Sequence, residues 1–387
     1  MIHLISYLFI KDYKNYQSPS VRTSYGILSG IVGIVLNLLL ASGKWIAGTL
    51  SGSISMIADA ANNLSDAGSS VISLLGFKLS AQKPDPEHPF GHGRMEYISG
   101  LFISVAILIM GFELVKTSVE KVFHPAATEF RISAMVILTV SILVKIYMFL
   151  YNRWYGTRLE STSMKATAMD SLSDTIATSL VLAASIISHY TGLLLDGWLG
   201  ILVGAFIFYT GIRTMKDTID PLLGQAPKQE LVEQITGIVN SHSMVYGMHD
   251  LIVHDYGPGR LMISLHAEVP SSGDLNLIHD QIDHIERELS EKLHCSAVIH
   301  IDPIVTDDPK TLKLKEDVLR IAASLNPNFS VHDFRLISRR GYDKILFDLA
   351  VPFDCETSNE ELVEILQSQI GKLESGNYVA TITIDRH

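Results

Sequence analysis

Long apolar stretches between residues 25 and 215 are the feature that most restricts the fold of this chain. In a bilayer core every backbone N–H and C=O must be satisfied within the protein, so apolar segments of spanning length fold as helices. Six stretches come close to the roughly 20 residues that cross the hydrocarbon core. They lie at 26–48, 53–77, 97–117, 132–151, 166–189 and 197–212. The sequence therefore predicts a membrane α-helical bundle of six transmembrane helices.

Composition separates this bundle from a soluble remainder. The 387 residues are 47% hydrophobic and 18% charged, with a mean hydropathy of +0.26, which is too apolar for an ordinary soluble protein of this length. Beyond residue 216, charged and apolar residues alternate as in soluble domains. The net charge of −11 gives no indication of nucleic-acid binding. Cys295 and Cys355 are too few for a disulfide framework, which fits a reducing compartment.

The distribution of basic residues orients the predicted bundle. With six spans both termini lie on one side, where eleven Lys and Arg residues fall against three on the other side. Because Lys and Arg are concentrated in cytoplasmic loops, we expect both termini to be cytosolic in an integral protein of the cell membrane. The predicted parts are a cytosolic arm at 1–22, a six-helix domain at 23–215, and two soluble modules at 216–305 and 310–387.

Two polar pairs interrupt the second and fifth predicted spans. Asn62 and Asp66 are four residues apart, and so are Asp170 and Asp174. Residues with this spacing share one face of a helix, and ionisable groups at bilayer depth usually mark an ion path. The segments that contain the two pairs also match at five of nine positions without a gap. This match indicates inverted copies whose polar faces meet near the midplane and enclose a cation.

An internal ion pair is the alternative interpretation of these carboxylates. It needs basic partners, and the only basic residues in the middle of spans are Lys44 and Lys145. We expect one of these lysines to pair with another acid such as Glu113. Three carboxylates are then too many for the lysines, so the cation site is favoured.

On the basis of these motifs, the chain resembles the cation diffusion facilitator family over about residues 20–305. The resemblance is carried by Ser53-Ile-Ser-Met-Ile-Ala-Asp59, by the two polar pairs and by Pro84-Asp-Pro-Glu-His-Pro-Phe-Gly-His-Gly-Arg-Met-Glu-Tyr97. Members of this family are dimeric, six-span exchangers of divalent metal for protons. The resemblance implies a homodimer that exports metal by alternating access, with a transport site of Asn62, Asp66, Asp170 and Asp174.

The ligand types predict the cation. Oxygen ligands suit hard cations such as Mn²⁺, whereas imidazole and thiolate suit Zn²⁺. Zinc-transporting members of the family usually have a histidine at the position of Asp170 or of Asn62, and this chain has neither. We therefore expect Mn²⁺, with Fe²⁺ as the nearest rival and Zn²⁺, Co²⁺ or broad specificity left open. Carboxylates that release metal take up protons, which predicts exchange of metal for protons.

The loop after the second span has the composition of another metal site. Asp85, His88 and His92 match residues that bind an ion at the cytosolic face in the family, and capping of the loop is the alternative. The resemblance also implies an ion pair between Arg94 and Asp220 that joins the membrane and soluble domains.

The soluble region shows one pattern twice. Residues 228–303 alternate between amphipathic and extended segments in the order helix, strand, strand, helix, strand. This order predicts an α+β domain of ferredoxin-like type, the form of the family's dimerising cytosolic domain. Val331-His-Asp-Phe334 echoes Met248-His-Asp-Leu251, and the segments that follow it repeat the pattern. We therefore predict that the module is duplicated, with a hinge at Asp307-Asp-Pro309.

Histidines are dense in the first module. The resemblance implies a regulatory metal site there, which Zn²⁺ could occupy, formed by His249, His266, His279, His300 and Asp302. In the second module we place Leu349 at the position of His266 and Thr383 at that of His300. We therefore expect the second copy to have lost metal binding and to serve dimer contact or regulation.

Other functions explain only part of this pattern. A membrane-anchored metal sensor would use the histidines, but it gives no reason for polar pairs inside two spans. A channel needs weak binding, whereas a carboxylate cage favours tight binding. The chain shows no nucleophile motif, phosphate-binding glycine loop or nucleotide motif, so we expect neither an enzyme nor an ATP-driven pump. Divalent metal is the expected substrate, and no catalytic cofactor is expected.

Overall fold

The computed structural model describes residues 2–16, 18–51, 54–124, 132–191, 196–373 and 377–386. They form two compact units. The first contains Met1–Gln225 together with Asp255–Leu261, and the second contains Ala226–His254 and Met262–His387. The boundary lies at Gln225 rather than at residue 215, because the last long helix continues to Leu223.

The first unit is a bundle of long helices. Within the described ranges, five of them contain a segment long and apolar enough to cross a membrane, by length and composition. The 27-residue α3 is not one of these five, because Asn62, Asn63 and Asp66 lower its hydropathy. The helices are α1 Ile2–Phe9, α2 Pro19–Ser51, α3 Ile54–Ser80, α4 Met95–Phe123, α5 Ile132–Arg158, α6 Thr162–Thr191 and α7 Asp196–Leu223. Large exposed apolar side chains, which suit contact with lipid, include Leu39, Phe102, Phe112, Leu143 and Leu202.

Glycines allow close packing between the helices of this unit. A Cβ added to Gly204 on α7 would lie 2.8 Å from Val115 Cγ2 and 2.9 Å from the Val115 backbone N on α4. A Cβ added to Gly111 on α4 would lie 2.7 Å from the backbone N of Phe208 on α7. In a bilayer, helices associate through such close contact because lipid is as apolar as their side chains.

We expect Gly204→Val to lower the thermal stability of the protein. The added methyl groups would meet the Val115 backbone, and overpacking of this kind costs about 1–3 kcal/mol. The measurement is the midpoint temperature at which the monodisperse peak is lost on heating in detergent. Gly43→Val on α2 is the control, since nothing lies within 4 Å of a Cβ there. Equal shifts in both variants would contradict the packing argument.

The N-terminal segment packs onto the bundle. Ile2 and Ile10 are 4% and 8% exposed, and the backbone N of Ile2 donates a hydrogen bond of 3.0 Å to the Tyr147 hydroxyl. Arg22, at the start of α2, forms an ion pair with the buried Glu96 of α4. The segment predicted as an arm therefore contributes to the core of the first unit.

The second unit contains two copies of one arrangement, as the repeated pattern predicts. Each copy has a helix, two strands, a helix and a third strand. The first copy consists of α8 Gln229–Asn240, β1 Gly247–Asp255, β2 Leu261–Pro270, α9 Leu275–Leu293 and β3 Cys295–Ile304. The second consists of α10 Pro309–Leu325, β4 Ser330–Arg339, β5 Tyr342–Val351, α11 Asn359–Ile370 and β6 Tyr378–Arg386.

Each copy builds a three-stranded sheet in sequence order, β1-β2-β3 and β4-β5-β6. In the second sheet β4 and β5 are antiparallel and β5 and β6 are parallel. The ferredoxin-like pattern has four strands, so this expectation is not confirmed for the described residues. The helices cover the sheets with apolar faces of helical spacing, such as Ile278, Ile282, Ile285 and Leu289 on α9, each at most 4% exposed.

The segment predicted as a hinge between the copies is the beginning of α10. The Asp308 carboxylate caps this helix by accepting hydrogen bonds from the backbone N–H groups of Lys310 and Thr311. Pro309 follows at the first helical position, where it needs no N–H partner. The sequence Asp-Pro therefore starts a helix here.

Candidate functional site

Three helices bring the predicted transport carboxylates together around a lysine. The Lys145 Nζ on α5 lies 2.7 Å from Asp66 Oδ2 on α3 and 2.5 Å from Asp174 Oδ2 on α6. Asp170, one turn before Asp174, is 4% exposed and close enough to interact electrostatically with both carboxylates and with the ammonium. Lys145 itself is 2% exposed. This arrangement is a buried charge cluster of Asp66, Asp170, Asp174 and Lys145.

Lys145 forms an internal ion pair with two of the three carboxylates, which is the alternative interpretation of these residues. The expectation is that one of the two lysines pairs with an acid such as Glu113. Glu113 is exposed on α4, and the described ion pairs of Lys145 do not include it. The face of α5 that carries Lys145 packs against α6, which directs its ammonium to the carboxylates.

Among the described contacts, Asn62 does not join the three carboxylates, although its four-residue spacing from Asp66 predicts a shared site. Its side chain is exposed, and within the described ranges no hydrogen bond joins it to the three carboxylates. The neighbouring Asn63 is 3% exposed, and its amide nitrogen has no hydrogen-bond partner in the described part of the chain. Lys145 is the residue of the cluster that the four-residue ligand spacing does not select. Its charge in the middle of an apolar span is the sequence signal that points to it.

The loop between α3 and α4 gathers its three predicted ligands. His88 Nδ1 lies 3.3 Å from Asp85 Oδ1, and His92 Nε2 lies 3.5 Å from Asp85 Oδ2. The His88 backbone N–H also donates to Asp85 Oδ1 at 2.6 Å. This hydrogen bond is the main reason why the pKa of the exposed Asp85 is lowered from its ordinary value. One ligand atom from each residue lies within 4.8 Å of the others, a spacing that can hold a metal ion.

Arg94 binds a backbone carbonyl rather than Asp220. Its Nε and Nη2 donate to the Asp255 carbonyl oxygen at 3.1 and 2.9 Å, and its guanidinium lies 4.6 Å from the centre of the Tyr256 ring. No ion pair joins Arg94 to Asp220 among the residues that the structure describes. Gly93 makes this contact possible, because a Cβ there would lie 2.6 Å from the Tyr256 carbonyl oxygen.

The first module brings together four of its five predicted ligands. Asp302 Oδ2 on β3 lies 2.9 Å from His266 Nδ1 on β2 and 3.2 Å from His249 Nε2 on β1. His300 Nε2 lies 3.4 Å from Asp302 Oδ1, although its side chain is 66% exposed. The fifth, His279 on α9, is not ion-paired with Asp302 in the described residues. Its side chain is 67% exposed, and its Nδ1 lies 3.4 Å from Asp283.

The second module contains a group of its own that could hold a metal ion, so the expectation that this copy has lost metal binding is not confirmed. His332 on β4 is paired in register with Asp348 on β5, and Asp385 on β6 completes a group whose ligand atoms lie within 4.8 Å of one another. Leu349, placed by sequence at the position of His266, is buried in the core. Thr383 is exposed. Burial, and then the neighbouring Asp250 and Asp348, raise the pKa of Asp385 from its ordinary value.

Comparison with known proteins agrees with this architecture. Residues 30–223 match the cation efflux transmembrane domain, and residues 227–304 match the cation efflux protein cytoplasmic domain. An uncharacterized transporter of Methanocaldococcus jannaschii is 31% identical over 273 residues, which are 70% of this chain and 96% of the relative. The cation-efflux pump FieF is 29% identical in Shigella flexneri and 28% in Escherichia coli, in each case over 73% of this chain and 95% of the pump.

Family and structure lead to the same class of protein. The matched domains are the membrane part and the dimerising cytoplasmic part of one transporter type, and the five apolar helices supply membrane-spanning segments. The chain therefore belongs to the cation efflux (CDF) family and is an integral membrane transporter of divalent metal cations rather than an enzyme.

Proposed function

We propose that this protein exports Mn²⁺ from the cytosol in exchange for protons by alternating access. The observation that carries the proposal is the buried charge cluster, in which Asp66 and Asp174 contact Lys145 and the buried Asp170 interacts electrostatically with all three. An oxygen-only ligand set favours Mn²⁺ over cations that prefer imidazole or thiolate. Asn62 remains the fourth ligand of the proposal, since it lies one turn before Asp66 on α3.

The charges of the cluster suggest how metal and protons are coupled. Three carboxylates and one ammonium leave two negative charges uncompensated. One divalent cation or two protons neutralise these charges equally, and an unbalanced charge at this depth is costly. We therefore propose that one Mn²⁺ and two protons alternate on the same oxygens. Lys145 is the fixed counter-ion in both states.

The proposed topology has six spans in the cell membrane, with both termini and both modules in the cytosol. It counts α3 together with the five apolar helices, because a polar span is stable where it faces protein. The working unit is a homodimer. We also propose that the loop residues Asp85, His88 and His92 form a second metal site. The first-module histidines with Asp302 form a regulatory site, where imidazole favours Zn²⁺.

We expect Asp170→His to shift the cation preference from Mn²⁺ toward Zn²⁺. Imidazole replaces a hard oxygen ligand in the cluster, and a change of roughly tenfold in the Zn²⁺/Mn²⁺ rate ratio corresponds to about 1.4 kcal/mol of differential binding. The measurement is uptake into proteoliposomes under an imposed pH gradient, comparing Mn²⁺, Fe²⁺, Zn²⁺ and Co²⁺ for the native protein and the variant.

The same assay tests the proposed function itself. If the native protein moved Zn²⁺ and not Mn²⁺, the ligand argument for manganese would fail. Transport that did not respond to the pH gradient would exclude proton exchange. Absence of flux for all four cations would favour the membrane-anchored sensor instead.

A further inference from the structure

The second module carries a buried histidine, His332, with an incomplete set of hydrogen bonds. His332 is 8% exposed, and its Nδ1 has no hydrogen-bond partner in the described part of the chain. The ring of His249, from the first module, stacks on it with centroids 4.3 Å apart, and His249 Nε2 lies 3.2 Å from Asp302 Oδ2. Buried polar atoms are nearly always satisfied, so an incompletely bonded imidazole beside carboxylates points to a missing partner.

Carboxylates surround His332 at the distances of metal ligands. Its Nε2 lies 3.6 Å from Asp385 Oδ2 and 3.9 Å from Asp250 Oδ1. Ligand atoms about 2.0–2.2 Å from a tetrahedral metal are roughly 3.3–3.6 Å apart from one another. Asp348 belongs to the same group, because its carboxylate lies within 4.8 Å of the ligand atoms of His332 and Asp385. A small rearrangement would therefore place these atoms around one ion.

The negative charge of this group is not compensated by nearby basic side chains. Arg335 binds Asp333, and Arg386 binds Asn359 and the Cys355 carbonyl oxygen, as the described contacts show. In the described part of the chain no Lys or Arg side chain forms an ion pair with the three carboxylates beside His332. A divalent cation would neutralise two of these charges and bind the buried imidazole at Nε2.

The duplicated strands explain why the ligands meet. β4 and β5 pair His332 with Asp348, and β5 and β6 pair Ala350 with Asp385, so the three side chains come from adjacent strands on one face of the sheet. In both copies the Asp after the histidine has a left-handed backbone, with φ of 52° at Asp250 and 49° at Asp333. Asp250 is thereby directed from the first module to His332.

We infer that His332, Asp348 and Asp385 bind a divalent transition-metal ion, with Asp250 of the first module as the bridging ligand. The ion joins the two modules within one chain. His332, Asp348 and Asp385 lie outside the matched cytoplasmic domain. The group borders the one around Asp302, since His249, Asp250 and His332 also lie within ligand distance of one another, and we infer that the two groups bind separate ions. The inference does not depend on which cation the helical bundle transports.

Zinc binding by the full-length protein tests this site. Purified protein in detergent is stripped with chelator, equilibrated with ZnCl₂ and desalted, and its zinc content is measured by mass spectrometry. We expect His332→Ala and Asp348→Asn each to bind one Zn²⁺ fewer per chain than the native protein. The matched controls are His254→Ala and Asp354→Asn, which change exposed side chains and should lose none.

A combined variant separates this site from that of the first module. Asp302→Asn should lose one ion, and Asp302→Asn with Asp348→Asn should lose two. Loss of only one ion by the combined variant would mean a single shared site and would overturn the inference, as would unchanged zinc content in Asp348→Asn. If His332→Ala does not fold, the nearly isosteric Asp348→Asn decides the question, with far-ultraviolet circular dichroism as the check on its fold.

Discussion

Replacement of Lys145 by methionine should make the stability of the protein depend on divalent metal. The change keeps the length of the side chain but removes the ammonium that contacts Asp66 and Asp174. Breaking a buried ion pair by removing one partner typically costs 3–5 kcal/mol, because the remaining charges stay buried and unpaired. In metal-free buffer we therefore expect a loss of about 3–5 kcal/mol, most of which Mn²⁺ restores. The increase in unfolding temperature on adding Mn²⁺ should be larger than in the native protein.

Thermal unfolding in detergent, with and without MnCl₂, measures this effect. Lys165→Met is the matched control, since Lys165 is exposed on α6 and the substitution is chemically the same. Its unfolding temperature and its response to Mn²⁺ should stay close to the native values. A Lys145→Met protein whose response to Mn²⁺ equals that of the native protein would show that metal does not enter the cluster.

Replacement of Asp174 by asparagine should nearly abolish transport. A carboxylate about 4 Å from a unit charge contributes about 4 kcal/mol at an effective dielectric constant of 20. Loss of one carboxylate from a shared cage should therefore lower the transport rate at low Mn²⁺ by about 100- to 1000-fold. The remaining net charge of the cluster would also match one proton rather than two.

Two readouts in the same proteoliposomes check this prediction, the Mn²⁺ uptake rate and the number of protons released per ion. Glu113→Gln is the matched control, because Glu113 is an exposed carboxylate on α4 outside the cluster. It should keep native uptake and native coupling. Native rates in Asp174→Asn would remove this residue from the transport path.

The order of helices and strands follows from local patterns in the sequence, and the contacts between them depend on non-local geometry. Spans and strands were predictable because hydrophobic runs and alternation are read within one segment. The partner of Lys145 was not, because it depends on how α5 is rotated against α3 and α6. The partner of Arg94 was not predictable either. It is the Asp255 backbone carbonyl, and a backbone acceptor cannot be recognised from the pattern of charged residues.

In the second module, a one-residue offset between the two copies changes which residue of β5 is predicted to be a ligand. The stretch from His332 to Pro352 is one residue shorter than its counterpart from His249 to Pro270, and the pairing shifts between His332 and Arg335. Side chains alternate between the two faces of a strand, so an offset of one residue exchanges the core face and the outer face. Sequence matching therefore selected the buried Leu349, whereas Asp348 is the residue beside His332.

Duplication of the module within one chain also changes how this part of the protein can evolve. In a symmetric dimer every substitution appears on both sides of the interface at once. In a tandem copy each side can change alone, and the copies already differ where His266 corresponds to Asp348. The second module can therefore gain oxygen ligands by substitution while the first module retains its imidazole ligands. With metal bound at both groups as proposed, a single chain would hold two ions with different affinities.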